Sequence, residues 1–212
     1  MRILSVNVGR PALVAKGDRT YSTAMNRRPA EGSVWLAELG FEGDRVADAE
    51  NHGGPDRAVC CYAHEHYPHF SAKLGVELPV PSFGENLTTR ELLESEVCIG
   101  DLYALGGAVV QVSQPRQPCW KLADKHGEPR LPQWIVEAAF TGFYLRVVRP
   151  GPVEAGVEAR LLDRPHPGLS VALTARSVLS AAGRREDLAR LAELPELSAG
   201  WRSRAAKRLR GF

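Results

Sequence analysis

Hydrophobic and polar positions alternate in short runs over the first 164 residues, with the two-residue period that is typical of half-buried strands. The clearest runs cover residues 3–8, 58–62, 108–112, 142–148 and 157–162. Glycine- and proline-containing turns separate these runs, and long alternating strand and helix units are missing. The pattern therefore predicts a mainly β, barrel-like core rather than a doubly wound sheet.

Helical patterns interrupt the strands at a few places. We predict short helices over residues 63–74, 119–126 and 132–140. Gly75 and Gly127 follow the first two, at the position where glycine commonly ends a helix. Residues 96–105 instead predict two short strands around a Gly-Asp turn.

The pattern changes at residues 165–168, where Pro-His-Pro-Gly places several turn-forming residues together. Beyond this point we predict three short helices, over residues 174–182, 187–193 and 199–209. Helices of this length are not stable alone in water, so they should pack on each other or on the core. We therefore predict a β-barrel domain with short helical insertions over residues 1–164 and a small three-helix bundle over residues 165–212.

The composition is that of an ordinary soluble globular protein, because 44% of the 212 residues are hydrophobic and 25% are charged. No apolar run is long enough to span a bilayer, and the first residues lack the features of a signal peptide. We therefore expect a cytoplasmic location. The four cysteines include no C-x-x-C pair and indicate neither a disulfide framework nor structural zinc.

The net charge of +2 hides an asymmetry between the two predicted domains. Residues 165–212 contain 9 basic and 4 acidic residues, which is a net charge of +5. The other 18 basic and 21 acidic residues give residues 1–164 a net charge of −3. A basic tail can bind nucleic acid. Because no aromatic residues are interleaved with these charges, we favour a solvated helical face.

Residues 111–121, with the sequence QVSQPRQPCWK, contain the strongest candidate chemistry. Two prolines fix their own backbone angles and favour extended neighbours, so this loop has few alternative conformations. Cys119 lies in the loop between Arg116 and Lys121. A cysteine beside fixed positive charge favours the thiolate, which is both a nucleophile and a metal ligand. The predicted helix over residues 119–126 would also place Cys119 at a helix N-terminus.

Polar residues in several turns have both a structural and a functional interpretation. His52 precedes two glycines, and Arg57 follows at the start of the next strand, an arrangement that suits either close approach of a ligand or a plain hairpin turn. Asn86 could bind a heterocycle or cap its own turn. Arg27, in a basic loop, is either an anion contact or a surface charge, and its position in the sequence favours the surface.

Two further groups are interpreted as structural. Glu42 and Asp44 flank a glycine in a tight turn, where acidic side chains more often accept backbone N–H groups than bind a metal. The neighbouring residues Cys60 and Cys61 lie in a predicted strand and point to opposite faces, and we interpret both as packing residues.

Five of these segments occur in the same order in MOSC-domain proteins, and the chain resembles the YiiM-like subgroup of that family. The segments are GFEGD at 40–44, HGGPDRAV at 52–59, FGENL at 83–87, IGD at 99–101 and QVSQPRQPCWK at 111–121. The tail, including LSAGWR at 197–202, also resembles the three-helix tail of that subgroup.

The resemblance implies a molybdenum cofactor of the molybdopterin type, bound on a pyruvate-kinase-type β-barrel, with Cys119 as the sulfur ligand of the metal. The pterin phosphate is anionic and suits planar arginine forks, while polar side chains would contact the pterin edges. The cofactor-binding residues would then be Arg27, Arg57, Asn86, Ser113, Gln114, Arg116 and Lys121. His52 would be a second catalytic residue that orients a ligand or delivers a proton.

The resemblance also implies an oxidoreductase that removes an oxygen atom from N-hydroxylated compounds, such as hydroxylaminopurine-like bases and amidoximes, at the cysteine-ligated molybdenum. Its role would be the detoxification of N-hydroxylated bases. Because the chain has no flavin or haem motif, a separate flavin- or iron–sulfur-containing reductase should donate the electrons. We expect no membrane partner, nucleic acid is disfavoured as a partner, and a homodimer is left open.

Three other functions stay open at this point. Cys119 could serve as a persulfide or ligand site in a protein that carries sulfur or delivers the molybdenum cofactor. Cys119 and His52 could instead form the nucleophile and base of a cofactor-free hydrolase, which requires contact between them. The protein could also be a nucleic-acid-binding module in which the basic tail contacts the nucleic acid.

Overall fold

The computed structural model describes residues 1–212, except for the side chain of Asn51. The strands are β1 (Arg2–Val8), β2 (Ala12–Lys16), β3 (Arg19–Thr23), β4 (Arg28–Pro29), β5 (Val34–Ala37), β6 (Gly40–Phe41), β7 (Val59–Ala63), β8 (Leu87–Arg90), β9 (Leu102–Leu105), β10 (Ala108–Pro115), β11 (Phe143–Arg149), β12 (Gly151–Val153) and β13 (Ala159–Asp163). The α-helices are α1 (Ala49–His52), α2 (Tyr67–Leu74), α3 (Trp120–His126), α4 (Leu131–Ala138), α5 (Val171–Leu179), α6 (Arg185–Ala192) and α7 (Ala199–Leu209). Two 3-10 helices cover Pro55–Arg57 and His64–His66.

The largest sheet is curled, with the strand order β13-β9-β10-β11-β7-β8-β1-β4. Its pairs are antiparallel apart from the parallel pair of β7 and β8. The start of β1 meets the residues just before β13, at the opposite side of the sheet: the backbone N–H of Ile3 donates to the Val157 carbonyl at 3.0 Å, and Arg2 forms an antiparallel bridge with Glu158. These contacts close the sheet, and the predicted mainly β, barrel-type core is confirmed.

Strand β10 illustrates why the sequence forms these elements. Ala108, Val110 and Val112 are fully buried, while the intervening Val109 and Gln111 are partly exposed, as the predicted alternation requires. The strand continues to Pro115, beyond the predicted end, and delivers the chain to the cysteine loop. The alternation of this strand therefore sets where the loop begins.

A second hydrophobic cluster anchors the helices that follow the cysteine loop. It joins side chains of β7, α2, α3 and α4 with Phe83, and its buried members are Tyr62, Tyr67, Phe70, Leu78, Phe83, Leu122, Leu131 and Ile135. The rings of Tyr62 and Phe83 stack with their centroids 4.2 Å apart. This packing fixes α3 against the outside of the barrel.

Several predicted boundaries are wrong. The predicted helix over 63–74 begins only at Tyr67, because β7 extends to Ala63 and a 3-10 helix follows it. The first tail helix begins at Val171 rather than 174, because the Ser170 hydroxyl accepts the Leu173 N–H at 3.1 Å and caps the helix earlier.

The predicted pair of strands over 96–105 is also only partly correct. Leu102–Leu105 forms β9, but the residues before the Gly-Asp turn are irregular. The carboxylate of Asp101 accepts the Cys98 N–H at 2.9 Å, a local bond that competes with strand pairing.

The three tail helices share the main hydrophobic core with the barrel. Leu188, Leu197, Trp201 and Ala205 are buried in the same cluster as the core residues of the barrel strands. The division at residue 165 therefore stays a prediction from the turn-forming sequence. Among the described residues, none of the helices combines the length and apolarity that crossing a membrane requires.

Candidate active site

A cavity of about 730 Å³ opens at the end of the barrel where β10 delivers the cysteine loop. Seven of the residues predicted from the sequence line it: Arg27, His52, Arg57, Asn86, Arg116, Cys119 and Lys121. Most of residues 37–49 also line it, together with Tyr144, Cys60 of β7, and residues near Thr23 and Gly84. The fold thus brings together residues that lie as much as 94 positions apart in the sequence, from Arg27 to Lys121.

Cys119 lies at the N-cap position of α3, as the predicted helix start required. Its side chain is half-buried, whereas Cys60, Cys61 and Cys98 are each less than 5% exposed. Cys119 is therefore the thiol that both lines the cavity and is accessible to solvent.

The β2–β3 hairpin holds α3 in place. Both Lys16 and the hydroxyl group of Tyr21 contact Asp124, and the Lys121 ammonium donates to the Ser22 carbonyl at 2.9 Å. Burial raises the pKa of Tyr21 to about 12, and the hydrogen bond to Asp124 adds to the rise. Sequence analysis missed this contact, because the hairpin and α3 are about 100 residues apart.

Arg116 has the most unusual environment in the cavity. Its side chain is only 6% exposed, and its guanidinium has neither a hydrogen-bond partner nor an ion-pair partner among the described residues. Buried charges are normally paired, because removing a charge from water is costly. An unpaired buried guanidinium that lines a cavity is suited to binding an anion from solution.

Arg27 is buried too, but its guanidinium is paired with a carboxylate and a backbone carbonyl. Its Nε and Nη2 atoms each lie 2.8 Å from a different carboxylate oxygen of Asp44, and its Nη1 atom donates to the Gly84 carbonyl at 2.6 Å. The surface interpretation that its sequence position favoured is wrong, since the side chain is 8% exposed. Arg27 therefore shapes the wall of the cavity.

Asn86 and Asp44 complete this part of the wall. The amide nitrogen of Asn86 donates to Asp44 at 3.0 Å, and its oxygen accepts the backbone N–H of Cys60 at 3.1 Å. Asp44 also accepts the backbone N–H of Gly9 at 2.9 Å. Asp44 therefore does accept a backbone N–H, but from Gly9, 35 positions away, rather than from its own turn as predicted, and its ion pair with Arg27 was not foreseen.

Ser113 and Gln114 are the two predicted cofactor contacts that the structure does not bring to the cavity. The Ser113 hydroxyl lies 2.6 Å from the Asp56 carbonyl and 2.9 Å from the Tyr144 carbonyl. Gln114 is 2% exposed, and its amide nitrogen lies 3.5 Å from the Pro115 carbonyl. Both side chains lie within the wall rather than on its inner surface.

Cys60 lines the cavity, although sequence analysis interpreted it only as a packing residue. The strand alternation contained the signal, because Cys61 lies in the core and its neighbour must point to the other face. Burial raises the pKa of the Cys60 thiol, so this thiol is protonated at neutral pH. Tyr144, which also lines the cavity, acts in the opposite direction on this pKa.

His52 lies in a positively charged part of the cavity. Burial lowers the pKa of its imidazole, and the charges of Arg116, Lys121 and Arg57 lower it further, while Asp48 acts in the opposite direction. The imidazole is therefore neutral at pH 7 and has one nitrogen free of a proton.

The cavity lining is cationic in some segments and apolar in others. The residues around the cysteine loop and the Arg57 turn are cationic, whereas residues 37–49 contribute apolar side chains, among them Leu39 and Val46. Leu39 lies on the turn between β5 and β6 and is 71% exposed. Turns usually carry polar residues, so an exposed leucine at the cavity is a candidate contact for an apolar ligand group.

Comparison with known proteins gives two family matches. The model of the MOSC domain matches residues 48–160, and that of the YiiM-like 3-alpha helix domain matches residues 184–212. The first match contains every predicted site residue except Arg27.

Individual proteins are also similar to this chain. The uncharacterized protein YflK of Bacillus subtilis is 42% identical over 206 residues, which cover 97% of this chain and 93% of YflK. A Gibberella moniliformis protein named Reductase is 36% identical over 199 residues, which cover 92% of this chain and 35% of that longer protein. The crystal structure of YiiM from Geobacillus stearothermophilus matches with a TM-score of 0.83 at 36% identity, over 98% of each chain.

Proposed function

This chain belongs to the MOSC-domain family, with the YiiM-like helical domain at its C-terminal end, and from this premise we propose that it is a molybdenum-cofactor-dependent oxidoreductase. The proposed reaction reduces N-hydroxylated compounds, such as hydroxylaminopurine-like bases and amidoximes. The Cys119 sulfur would be the protein ligand of the metal. A similar fungal protein carries the name Reductase, which supports redox chemistry as the class of activity.

The unpaired guanidinium of Arg116 is the observation that carries this proposal. A pterin cofactor of this type ends in a phosphate, and a buried arginine without a partner provides the charge and the donors that a phosphate needs. The same cavity contains the accessible thiol of Cys119, a soft sulfur ligand suited to a transition metal. The donor set therefore fits the cofactor.

The other predicted cofactor-binding residues that line the cavity also have proposed roles. Arg57 and Lys121 would hold the anionic end of the cofactor together with Arg116, while Arg27 and Asn86 would keep their wall rigid through Asp44. When bound, the cofactor supplies the two-electron chemistry that removes the oxygen of an N–OH group. The protein's own residues would bind the cofactor, orient the substrate and supply a proton to it.

His52 would carry one of the two protons that the reaction consumes. Reducing an N–OH group to an N–H group releases water and needs two electrons and two protons. A neutral imidazole can take a proton from solvent on its free nitrogen and pass it to the substrate. The apolar residues of the 37–49 segment, especially Leu39, would contact the body of the substrate.

A separate reductase would donate the electrons. The fungal relative is longer than this chain, which matches 35% of it, so its remaining length can hold a further functional unit. In the present protein we propose that a partner of the flavin- or iron–sulfur-containing class fills that role.

The decisive experiment compares the wild-type protein with Cys119→Ala, both expressed in a host that makes the cofactor. We expect the wild type to contain molybdenum and to reduce a hydroxylaminopurine or an amidoxime with a reductase, and the variant to lose both properties. Cys98→Ala removes a buried thiol that is not part of the cavity lining and serves as the matched control. Full molybdenum content and full turnover in Cys119→Ala would contradict the proposal. Transferable sulfane sulfur on Cys119 without any N-reduction would support the sulfur-carrier function instead.

A further inference from the structure

We infer that the C-terminal helices hold the two loops that carry Cys119 and Arg57, with Arg146 and Arg204 as positioning residues. The cysteine loop contacts residues 194–204 directly and the Arg57 turn reaches them through Arg146, although that segment contributes no residue to the cavity lining. The inference concerns the geometry of the loops and does not depend on which reaction the cavity performs.

The cysteine loop contacts the tail at two points. The backbone N–H of Ser198 donates to the carbonyl of Ser113, two residues before the end of β10, at 3.0 Å. The guanidinium of Arg204, on α7, donates to the side-chain oxygen of Gln117. Gln117 lines the cavity two residues before Cys119, so α7 reaches the loop next to its thiol.

The Arg57 turn reaches the same part of the tail through Arg146, on β11. The Nε atom of Arg146 lies 2.9 Å and its Nη2 atom 2.8 Å from the carboxylate of Asp56, the residue that precedes Arg57. Nη2 also donates to the Glu196 carbonyl at 2.9 Å, and Nη1 donates to Gln111 at 3.0 Å. A single guanidinium thus joins the turn, the barrel and the tail.

The contact region of the tail, residues 194–198, is itself braced. Arg202 donates through Nη1 to the carbonyls of Pro195 at 2.9 Å and Leu197 at 3.1 Å. His166 lies 2.8 Å from the carboxylate of Glu196. Because these bonds hold residues 194–198 in one conformation, this segment can fix the position of the loops that it contacts.

The two loops are also joined to each other. The Ser113 hydroxyl donates to the Asp56 carbonyl at 2.6 Å, so the segment that carries Cys119 contacts the Arg57 turn directly. Small displacements of positioned groups cost a large part of a site's efficiency. We therefore expect the tail to set the distance between the thiol and the cationic residues, in addition to its contribution to stability.

The first test measures the alkylation rate of Cys119 by iodoacetamide in the full-length, cofactor-free protein, with the modified residue located by mass spectrometry. The other three cysteines are buried, so the native protein reports mainly on Cys119. We expect Arg204→Ala to raise the rate about threefold, because it removes one hydrogen bond of an exposed side chain. Arg204→Lys keeps a donor and should restore the wild-type rate.

The matched control is Arg208→Ala on the same helix. The guanidinium of Arg208 contacts the Val178 carbonyl at 3.4 Å within the tail and has no contact with the cysteine loop. It should leave the alkylation rate unchanged. An equal rate in wild type, Arg204→Ala and Arg208→Ala would overturn the inference for Arg204.

The second test follows amide hydrogen exchange over residues 52–58 and 111–121. Arg146→Ala should speed exchange in both segments about tenfold, because it removes a fork of charge-assisted bonds, while Arg149→Ala, at the exposed end of the same strand, should not. Faster exchange spread evenly over the whole chain would mean a loss of global stability and would overturn the positioning role. In cofactor-loaded protein, a changed KM with unchanged melting would further support it.

Discussion

Arg27 and Arg116 line the same cavity with buried side chains, yet only Arg27 forms an ion pair among the described residues. The Asp44 carboxylate accepts two bonds from Arg27 at 2.8 Å, while the guanidinium of Arg116 has no such partner. One arginine therefore belongs to the wall, and the other is available to a ligand. This difference predicts that two chemically similar substitutions will have different effects on stability.

Replacing Arg116 by methionine should change the free energy of unfolding of the ligand-free protein by no more than about 1 kcal/mol, because the cost of burying its charge is offset by nearby groups that raise its pKa above the usual arginine value. The same change should abolish stabilisation by inorganic phosphate, since a ligand stabilises only the state that binds it. Urea denaturation with and without phosphate measures both effects. A variant that phosphate still stabilises would contradict the assignment of Arg116 as an anion contact.

Replacing Arg27 by methionine should instead destabilise the protein by about 3–5 kcal/mol, because Asp44 would remain buried without its partner. The double variant Arg27→Met with Asp44→Asn should recover part of the loss, since it removes the stranded charge as well. Urea denaturation at one pH gives both values. Equal stability of the two single variants at Arg27 and Arg116 would show that the ion pair is not what distinguishes them.

Acidification should destabilise the protein partly through His52. Burial lowers the pKa of His52, so the unfolded chain binds a proton at a higher pH than the folded chain does. Stability is therefore complete above the ordinary histidine pKa of about 6.5 and decreases as the pH falls below it. In His52→Gln the decrease should be smaller, and urea denaturation across this range measures it.

His126 is the control for that measurement, because burial lowers its pKa too and it lies outside the cavity lining. The double variant of His52 and His126 should show the flattest pH dependence. A pH dependence in His52→Gln as steep as that of the wild type would contradict the contribution of His52.

Leu39 should influence which substrates the protein accepts. Leu39→Ala should raise KM severalfold for an aromatic amidoxime and leave KM for hydroxylamine unchanged, because only the larger substrate has an apolar body to contact Leu39. Leu13→Ala is the matched control, since Leu13 is similarly exposed, at 77% against 71%, but lies outside the cavity lining. Steady-state kinetics of both variants measures KM for the two substrates. Equal effects of the two substitutions on KM would exclude a specific contact with Leu39.

Much of the fold follows from local features of the sequence. The alternation over residues 108–112 predicts β10, and the polar and glycine signals around Cys119 and Gly127 place α3 correctly. The errors lie at boundaries, as at Ser170, where one capping hydroxyl extends the helix by three residues. Such a bond contributes about 1 kcal/mol and is enough to move an end, but not to change the type of element.

The partners of the site residues could not be predicted in the same way. Arg27 and Asp44, or Arg146 and Glu196, meet only after the sheet closes and the tail packs against it. Neither sequence segment shows whether its arginine is paired, because the partner of Arg27, Asp44, is 17 positions away. Burial and pairing are properties of the folded chain.

The sequence by itself determined the alternating strands, the stiff proline loop with its single accessible thiol, and the tail of short helices. These features depend on backbone angles and periodicity, which act over a few residues. Only the tertiary structure decided that Arg116 is unpaired, that Ser113 and Gln114 lie within the wall, and that the tail holds the cysteine loop. These depend on contacts between residues up to about 90 positions apart, which exist only once the barrel has closed.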